Sequence, residues 1–446
     1  MIDLKSNKEN MFGISSEIVK YISKIKKESQ WMLDFRLDAL EKYFKMDFPK
    51  EIDIKDFDFK EIVTYVKNDF SKILNNEDLP SEIKHIYDKL GLKKAEEESL
   101  GATGFQYQSS MIYSKIKDYW AKKGVIFLNS NDALIEYEDL FRNYFSKSIQ
   151  RDMNKLSLLH YAFWSGGTFI YVPEGVKVKA PLQSYYYMEG ENMGQFEHTI
   201  IIADKDSEVQ FIEGCSAPMY KTSNVHVGVV ELFLKENSKL KFSTIQNWSK
   251  NVYNLGFKKA IVEKDALIEW VSGSFGSKYS MLYPCVELIG DNSKSDAFFV
   301  SVTNKDQFLD SGFKAIHLGK NTSSKVKSKS IVMNGGESIY KGKVYVDEKA
   351  INSKDYVDCD SLILDKDSVS KSFPLINSQN SDSIISHEAK IGEIGEEELF
   401  YLMSRGIKKE RAKEIIINGF IEPIVRELPM EYAVELNRIV AEELDS

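Results

Sequence analysis

The chain has 446 residues, enough for two or three domains or for one long repeat domain with additions. Its 43% hydrophobic and 28% charged residues are ordinary for a soluble globular protein, and a formal net charge of -9 argues against nucleic acid or an anionic membrane as the main partner. The first residues lack an apolar secretory core, and no run of about 18 apolar residues occurs. The sequence therefore predicts a protein of the cytoplasm or of an organelle interior.

The first 125 residues or so show mainly helical patterns. Ser15 is placed to cap a helix with apolar residues at helical spacing over 18–25. A second helix is predicted over residues 31–44, and helical patterns return at 83–90 and 111–120. We therefore expect a helical region ahead of the first strands.

From about Thr168 the pattern changes to β-branched and aromatic runs of strand length, at Thr168–Val172 and at 199–202. A turn phrase then recurs, in which a charged residue, an Asp or Asn, and a small residue precede the next apolar run. The small residues follow one another at steps of 31, 28, 27 and 29, at Ser207, Ser238, Ala266, Ser293 and Thr322. This near-constant step favours a β-helix solenoid over the alternative, a β-sandwich with irregular hairpins.

The last 55 residues are again predicted to be helical. Three glutamates at 396–398 open one helix, and an Arg-Gly pair at 405–406 closes it. A second helix is expected over 408–418, ended by Gly419, and a third over 430–444. These helices are expected to cover the open end of the solenoid and to present a docking face.

The three cysteines, Cys215, Cys285 and Cys359, are spaced as neither a metal knuckle nor a disulfide framework. An iron–sulfur cluster usually takes four thiolates, so a cluster here must borrow His, Glu or a partner's ligands and would be weakly held. Cys359 is followed 28 residues later by the adjacent pair His387 and Glu388, where the repeat region ends. Thiolate, imidazole and carboxylate are the side chains that bind iron or zinc.

Several short motifs occur in a characteristic order along the chain. They are Glu-Gly-Cys-Ser-Ala-Pro at 213–218, Thr-Ile-Gln-Asn-Trp at 244–248, His-Leu-Gly-Lys-Asn-Thr at 317–322, Cys-Asp-Ser at 359–361, His-Glu-Ala at 387–389, Arg-Gly-Ile at 405–407 and Glu-Leu-Pro at 427–429. With them the sequence resembles the SufB/SufD family of iron–sulfur cluster assembly proteins, from Gln30 almost to its end. It resembles SufB members more than SufD members, which lack the Glu-Gly-Cys and Cys-Asp-Ser phrases.

The resemblance implies a mostly β fold, with a right-handed parallel β-helix core over 151–390, an N-terminal helical domain over 1–150 and a C-terminal helical domain over 391–446. The last domain would dock the ABC-type ATPase SufC, and the usual complex has one SufB, two SufC and one SufD. A second SufB in place of SufD stays open. A cysteine desulfurase with its sulfur carrier would deliver persulfide sulfur, a reduced flavin is associated with the complex, and apo-proteins or carriers would receive the cluster.

The resemblance also implies roles for single residues. Cys215 matches the family's persulfide acceptor, and Gln246, Trp248 and Lys258 match residues of a sulfur path; a structural cysteine and a core tryptophan are the alternatives. Glu213 is expected either to act as a base or to be a solvated acid in a turn.

Cys359 matches the cysteine that binds a nascent, transient 4Fe-4S or 2Fe-2S cluster, the alternative being a buried solenoid cysteine. Asp358 and Asp360 are expected to raise its pKa. Adjacent strand residues point to opposite faces, so only one of Glu388 and His387 is expected to reach a shared iron, with Glu388 preferred.

The sequence departs from the family pattern at two places. Ser386 stands where the family often has an acid, which removes one candidate oxygen ligand. Tyr187 and Glu189 stand where it commonly has Arg and Asn, which makes that stretch of the path more acidic. The Gly-Lys-Asn-Thr phrase at 319–322 lacks the earlier glycine of a phosphate-binding loop, so ATP use is expected from a partner.

Other candidate residues are predicted to be structural. Cys285, between apolar neighbours, is expected in the core. His160, His198, His226 and His317 show no partner at ligand spacing and are expected to be structural histidines.

The leading hypothesis is a cluster-assembly scaffold, not a turnover enzyme. A structural SufD-like solenoid without cluster ligands is one alternative. A β-helix carbohydrate lyase or hydrolase is another, although its carboxylate cluster and signal peptide are not evident.

Overall fold

The computed structural model describes residues 9–50, 52, 54, 57–67, 73, 75–426, 438, 440 and 441. Its helices are α1 (Ser16–Ile25), α2 (Gln30–Lys45), α3 (Ser81–Lys89), α4 (Leu92–Glu98), α5 (Asp118–Ala121), α6 (Ser130–Glu136), α7 (Glu138–Tyr144), α8 (Lys155–Phe163), α9 (Glu396–Ser404) and α10 (Lys409–Val425). Its first strands are β1 (Glu9–Phe12), β2 (Val63–Lys67), β3 (Ala102–Tyr107), β4 (Ser110–Ile116) and β5 (Ile126–Asn129). Short 3-10 helices lie at Asn76–Asp78 and Arg151–Met153.

The later strands build the solenoid. They are β6 (Thr168–Val172), β7 (Leu182–Tyr187), β8 (Gly194–Gln195), β9 (His198–Ala203), β10 (Glu208–Ser216), β11 (Asn224–His226), β12 (Val229–Leu234), β13 (Lys239–Asn247), β14 (Val252–Val262), β15 (Leu267–Phe275), β16 (Tyr279–Leu282), β17 (Cys285–Leu288), β18 (Lys294–Thr303), β19 (Phe308–His317), β20 (Ser323–Val332), β21 (Glu337–Val346), β22 (Lys354–Ile363), β23 (Val369–Ser378) and β24 (Ile384–Glu393).

The N-terminal region mixes helices with strands. Ser15 caps α1 by accepting a hydrogen bond from the Ile18 N–H at 3.4 Å, and α2 covers the second predicted helix. The helix predicted over 111–120 is wrong, because most of that segment forms β4. There Ile112 and Tyr113 pack into a cluster with residues of α3 and α4, and pairing with β3 at the end of a sheet outweighs the local helical pattern.

Two mainly parallel sheets, each with one antiparallel pair at its N-terminal end, form the walls of the solenoid. One runs β24-β22-β20-β18-β15-β13-β10-β7-β3-β4, and the other runs β23-β21-β19-β16-β14-β12-β9-β6-β5 with β8, β11 and β17 beside it. Among the described residues, every pair formed between strands from β6 onward is parallel. The predicted β-helix solenoid is therefore confirmed, and the sandwich alternative is wrong.

The recurring turn phrase stacks into a ladder at one corner of the solenoid. Asp206, Asn237, Asp265, Asn292 and Asn321 have φ between 56° and 60°, a left-handed conformation that Asn and Asp tolerate. Their side chains bond from turn to turn, with Asn237 Nδ2 donating to Asp206 Oδ1 at 2.6 Å and Asn292 Nδ2 donating to Asp265 Oδ1 at 2.8 Å. The small residue after each of them is buried.

The C-terminal helices differ from the prediction in two ways. α9 ends before Gly406, at φ 83°, as expected, but α10 runs through Gly419 to Val425, because Gly419 does not take the left-handed conformation that Gly406 takes after α9. The predicted third helix lies almost entirely outside the described residues.

The expected end-cap is also wrong. Ile417 and Ile421 of α10 pack with Val271, Val300 and Ile331 on the outer face of the ten-stranded sheet. The last turn keeps large apolar side chains exposed, including Ile384 at 65% and Leu375 at 49%. In the described part of the chain, no helix has the length and apolar character needed to cross a membrane.

Candidate functional site: two buried thiols and a polar row between them

Two rows of inward-facing residues run along the ten-stranded sheet. The strand register aligns Glu213, Thr244, Ser272, Phe299, Ser328 and Cys359 in the first row. It aligns Cys215, Gln246, Ser274, Ser301, Ser330 and Ser361 in the second row. Five strand spacings of about 4.8 Å separate the ends of each row, so Cys215 and Cys359 lie about 24 Å apart along the solenoid.

Cys215, Glu213 and the three predicted path residues meet in one hydrogen-bonded cluster at the first end of these rows. Gln246 Nε2 donates to Cys215 Sγ at 3.2 Å and to Glu213 Oε1 at 3.1 Å, while Trp248 Nε1 donates to Gln246 Oε1 at 2.9 Å. Lys258 Nζ pairs with Glu213 Oε1. The structure thus brings together residues up to 45 positions apart in the sequence.

Burial controls the chemistry of this cluster. It raises the pKa of the Cys215 thiol well above its ordinary value, and the charges of Glu213 and Glu197 raise it further, while Lys258 acts in the opposite direction. Cys215 is therefore a protonated thiol at neutral pH. Glu213 is 1% exposed, so its alternative interpretation as a solvated turn acid is wrong.

Two small cavities lie inside the solenoid between the Cys215 cluster and Cys359, and Cys215 itself lines neither of them. One of about 50 Å³ is lined by Gln246 and Lys258, and a second of about 20 Å³ is lined by Cys359. The two cavities share lining residues Ser301, Ser311, Ser328 and Tyr340. The interior between the thiols therefore offers hydroxyl groups along an interrupted channel.

Cys359 lies in β22, near the last turn of the solenoid, with 6% of its surface exposed. Burial raises its pKa to about 12; the Tyr340 hydroxyl beside it lowers the pKa, and Asp358 and Asp360 raise it further. The predicted effect of the two aspartates is thus present but smaller than that of burial. Asp360 pairs with Lys329 at 2.9 Å.

His387 and Glu388 lie on opposite faces of β24, as expected. The register sets His387 opposite Val357 and Ala389 opposite Cys359, so His387 shares the inward face with Cys359. Both ring nitrogens of His387 are buried without a hydrogen-bond partner, and burial lowers its pKa below 6.5 against the opposing effect of Asp355. Glu388 points outward and pairs with Lys390 at 2.9 Å. This geometry favours His387 over the preferred Glu388 as a neighbour of Cys359.

The remaining predicted residues lie outside these two groups. Ser386 is exposed, and the Tyr107 hydroxyl donates to Glu189, with the Tyr107 and Tyr187 rings stacked at 6.3 Å.

The prediction that Cys285 lies in the core is wrong: it is only partly buried, in register with Lys259 and Lys314, whereas the next residue, Val286, is the one that packs in the core. Burial nevertheless raises the pKa of Cys285 to about 11.

The four histidines expected to be structural all have hydrogen-bond partners in the fold. His198 pairs with Glu231 at 3.1 Å and His317 with Asp355 at 3.1 Å, while His226 contacts Glu197. Ligand atoms of Glu197, Cys215 and His226 all lie within 4.8 Å of one another. The signal missed in the sequence is the 29-residue interval from Glu197 to His226, about one turn of the solenoid.

The raised thiol pKa values predict slow alkylation of the folded chain. At pH 8 a thiol with a pKa of about 12 is ionised to a fraction on the order of 10⁻⁴. We expect iodoacetamide to modify Cys359 about 10³-fold more slowly than a free cysteine, with a rate that still rises about tenfold per pH unit beyond pH 9. Mass spectrometry of the Cys359 peptide measures this rate, with the chain in urea as control; equal rates in both would contradict it.

Comparisons with known proteins agree with this architecture. A family model described as "SUF system FeS cluster assembly, SufBD core domain" matches residues 186–420, and one described as "SufBD protein N-terminal region" matches residues 17–184. The chain is 44% identical over 434 residues to the iron-sulfur cluster assembly protein SufB of Bacillus subtilis, covering 97% of this chain and 93% of the relative. It is 45% identical, with the same coverage, to an iron-sulfur cluster assembly SufBD family protein of Staphylococcus epidermidis.

The fold and the site define a parallel β-solenoid with two buried thiols joined by a polar interior row. The matches cover nearly the whole chain. The chain belongs to the SufB/SufD family of the SUF iron–sulfur cluster assembly system.

Proposed function

We propose that the chain is a scaffold for iron–sulfur cluster assembly, in which Cys215 receives sulfur and Cys359 holds the nascent cluster with His387. The observation that carries the proposal is the joining of the Cys215 cluster to Cys359 by the Ser-lined interior row. A purely structural solenoid has no need of a polar row inside its core, where unpaired hydroxyl groups are costly. Family membership removes the basis for the carbohydrate-enzyme alternative.

Sulfur transfer to Cys215 is the first proposed step. The Cys215 thiol loses its proton to the Glu213 carboxylate, which Gln246 Nε2 links to the sulfur. The thiolate attacks the outer sulfur of the donor's persulfide, a new S–S bond forms, and the donor's thiolate leaves. Lys258, held beside Glu213, offsets the negative charge of the resulting persulfide.

Cluster binding at Cys359 is the second proposed step. Both ring nitrogens of His387 are buried and have no hydrogen-bond partner, whereas buried polar atoms usually have one. A ring nitrogen of His387 is therefore available to bind a metal ion. Iron would displace the Cys359 proton, since a cation deprotonates a bound thiol. The cluster type stays a prediction. The source of the electrons that reduce sulfur to sulfide, and the binding of the reduced flavin that the resemblance implies, also stay predictions.

The proposed partners fit two exposed apolar surfaces. SufC would dock on the C-terminal helices over 391–446, where Phe400 is 73% and Tyr401 58% exposed. SufD, or a second copy of the chain, would cover the last turn around Ile384. A cysteine desulfurase with its carrier would supply sulfur, and apo-proteins would receive the cluster. The bacterial relatives favour the cytoplasm as the place of this function.

Anaerobic reconstitution tests the scaffold against the structural SufD-like alternative. The chain, co-expressed with its ATPase partner, receives Fe²⁺ and sulfide, and visible charge-transfer absorption and acid-labile sulfide are measured. We expect Cys359→Ala to lower both by at least about tenfold and Cys285→Ala to leave them unchanged. Equal signals in the two variants would remove the Cys359 assignment, and no signal in the unmodified chain would favour the structural alternative.

A further inference from the structure

We propose that Glu197, Cys215 and His226 form a binding site for one divalent transition-metal ion of the Fe²⁺ or Zn²⁺ type. Their ligand atoms lie within 4.8 Å of one another, and all three residues are buried. A thiolate, an imidazole and a carboxylate are donors for these ions, with a fourth position left open. The site is separate from the Cys359 end and does not depend on the proposed scaffold role.

One buried ligand atom of this site has no hydrogen-bond partner. Glu197 is 2% exposed, yet its Oε2 has no hydrogen-bond partner, and its Oε1 contacts only His226 Nε2 among the hydrogen bonds of the described residues. Glu231, the acid of the neighbouring buried pair, instead accepts from the backbone N–H groups of Ser146 and Ser148 at 2.6 Å each. Glu197 therefore has the free ligand capacity that Glu231 lacks.

A residue behind the histidine orients it for coordination. Asn254 Oδ1 lies 2.8 Å from His226 Nδ1, so Nδ1–H donates to it and Nε2 keeps the lone pair that a metal needs. The Trp248 ring lies 4.6 Å from the imidazole and shields it. At Gly228 a Cβ atom would stand 2.5 Å from Glu197 Oε1, so the site leaves no room for a side chain there.

Charge balance gives a further reason for a cation. Lys258 already pairs with Glu213, and among the ion pairs of the described residues Glu197 has only His226 as a partner. Burying a carboxylate without full compensation is costly, and a divalent cation bound by Glu197 and the Cys215 thiolate would offset both negative charges. The alternative is a plain His226–Glu197 pair that binds no metal.

Cobalt loading of the full chain separates these alternatives. We use a Cys285→Ala, Cys359→Ala background, in which Cys215 is the only thiol, and express it with Co²⁺ in the medium so that the ion is present while the chain folds. We expect about one cobalt ion per purified chain and a thiolate-to-cobalt charge-transfer band. Adding Cys215→Ser should remove the band, and Glu197→Gln or His226→Gln should lower bound cobalt by at least about tenfold.

The matched control is His198→Gln, which alters an equally buried histidine–carboxylate pair that forms no cluster with a thiol among the described residues. It should keep both the cobalt and the band, and melting temperatures verify that every variant is folded. A folded background chain without cobalt, or a band that survives Cys215→Ser, would overturn the proposal. Because Cys359 is absent throughout, this result does not depend on whether Cys359 holds a cluster.

Discussion

Replacing Ser328 with leucine is expected to slow cluster formation from a persulfide donor by about 100-fold, because the side chain would fill the proposed passage between the two thiols. Ser328 lies next to Cys359 in the first interior row and lines both cavities. The smaller of these measures about 20 Å³, too little to take up an added isobutyl group. The measurement follows cluster absorption when a persulfide-loaded carrier is the only sulfur source.

The same variant should still form a cluster from free iron and sulfide, because Cys359 and His387 lie near the exposed last turn. This second reaction shows whether leucine has damaged the cluster site itself. Overpacking should lower the free energy of unfolding by about 1–3 kcal/mol, which denaturant unfolding measures.

Lys327→Leu is the matched control, since Lys327 is the exposed, outward neighbour of Ser328 in β20. It adds the same side chain on the other face of the sheet and should leave both reactions unchanged. Equal persulfide-driven rates in Ser328→Leu and the unmodified chain would refute an interior route for sulfur.

The solenoid could be predicted from the sequence because its turns repeat a local requirement. Each turn contains an Asn or Asp in the left-handed conformation, such as Asn237, followed by a small buried residue, such as Ser238. These two residue types therefore recur in the sequence at a near-constant interval. The sequence around strands β3 to β5 contains no such repeat. Their pairing with later turns depends on contacts far apart in the sequence, and local patterns do not record such contacts.

The candidate site was predictable only in part. Cys215, Gln246 and Lys258 could be grouped because the resemblance linked them. Glu197 and His226 were missed, because an interval of one solenoid turn does not by itself single out a pair, and their proximity follows from how β8 and β11 stack. The choice between His387 and Glu388 also needed the register of β24, since a shift of one residue exchanges the faces of a strand.

Replacing His387 with alanine is expected to lower cluster binding at Cys359 by at least about tenfold, whereas Glu388→Ala should change it less than about threefold. His387 faces inward with Cys359 and has no competing hydrogen bond, while Glu388 faces outward, is about half exposed and already pairs with Lys390. Burial also lowers the pKa of His387 below 6.5, so the imidazole is neutral at pH 7 and iron need not displace a proton from it.

The measurement is iron and acid-labile sulfide retained by each variant after anaerobic reconstitution and desalting. Between pH 7 and 8 the contribution of His387 should be constant, and it should fall only as the pH drops far enough to protonate the ring. The reverse result, with loss in Glu388→Ala and retention in His387→Ala, would put the iron on the outer face beside Asp358 and Asp360. Cys359 would then have to turn away from the interior row, and the route for sulfur would end on a different surface from the one that binds iron.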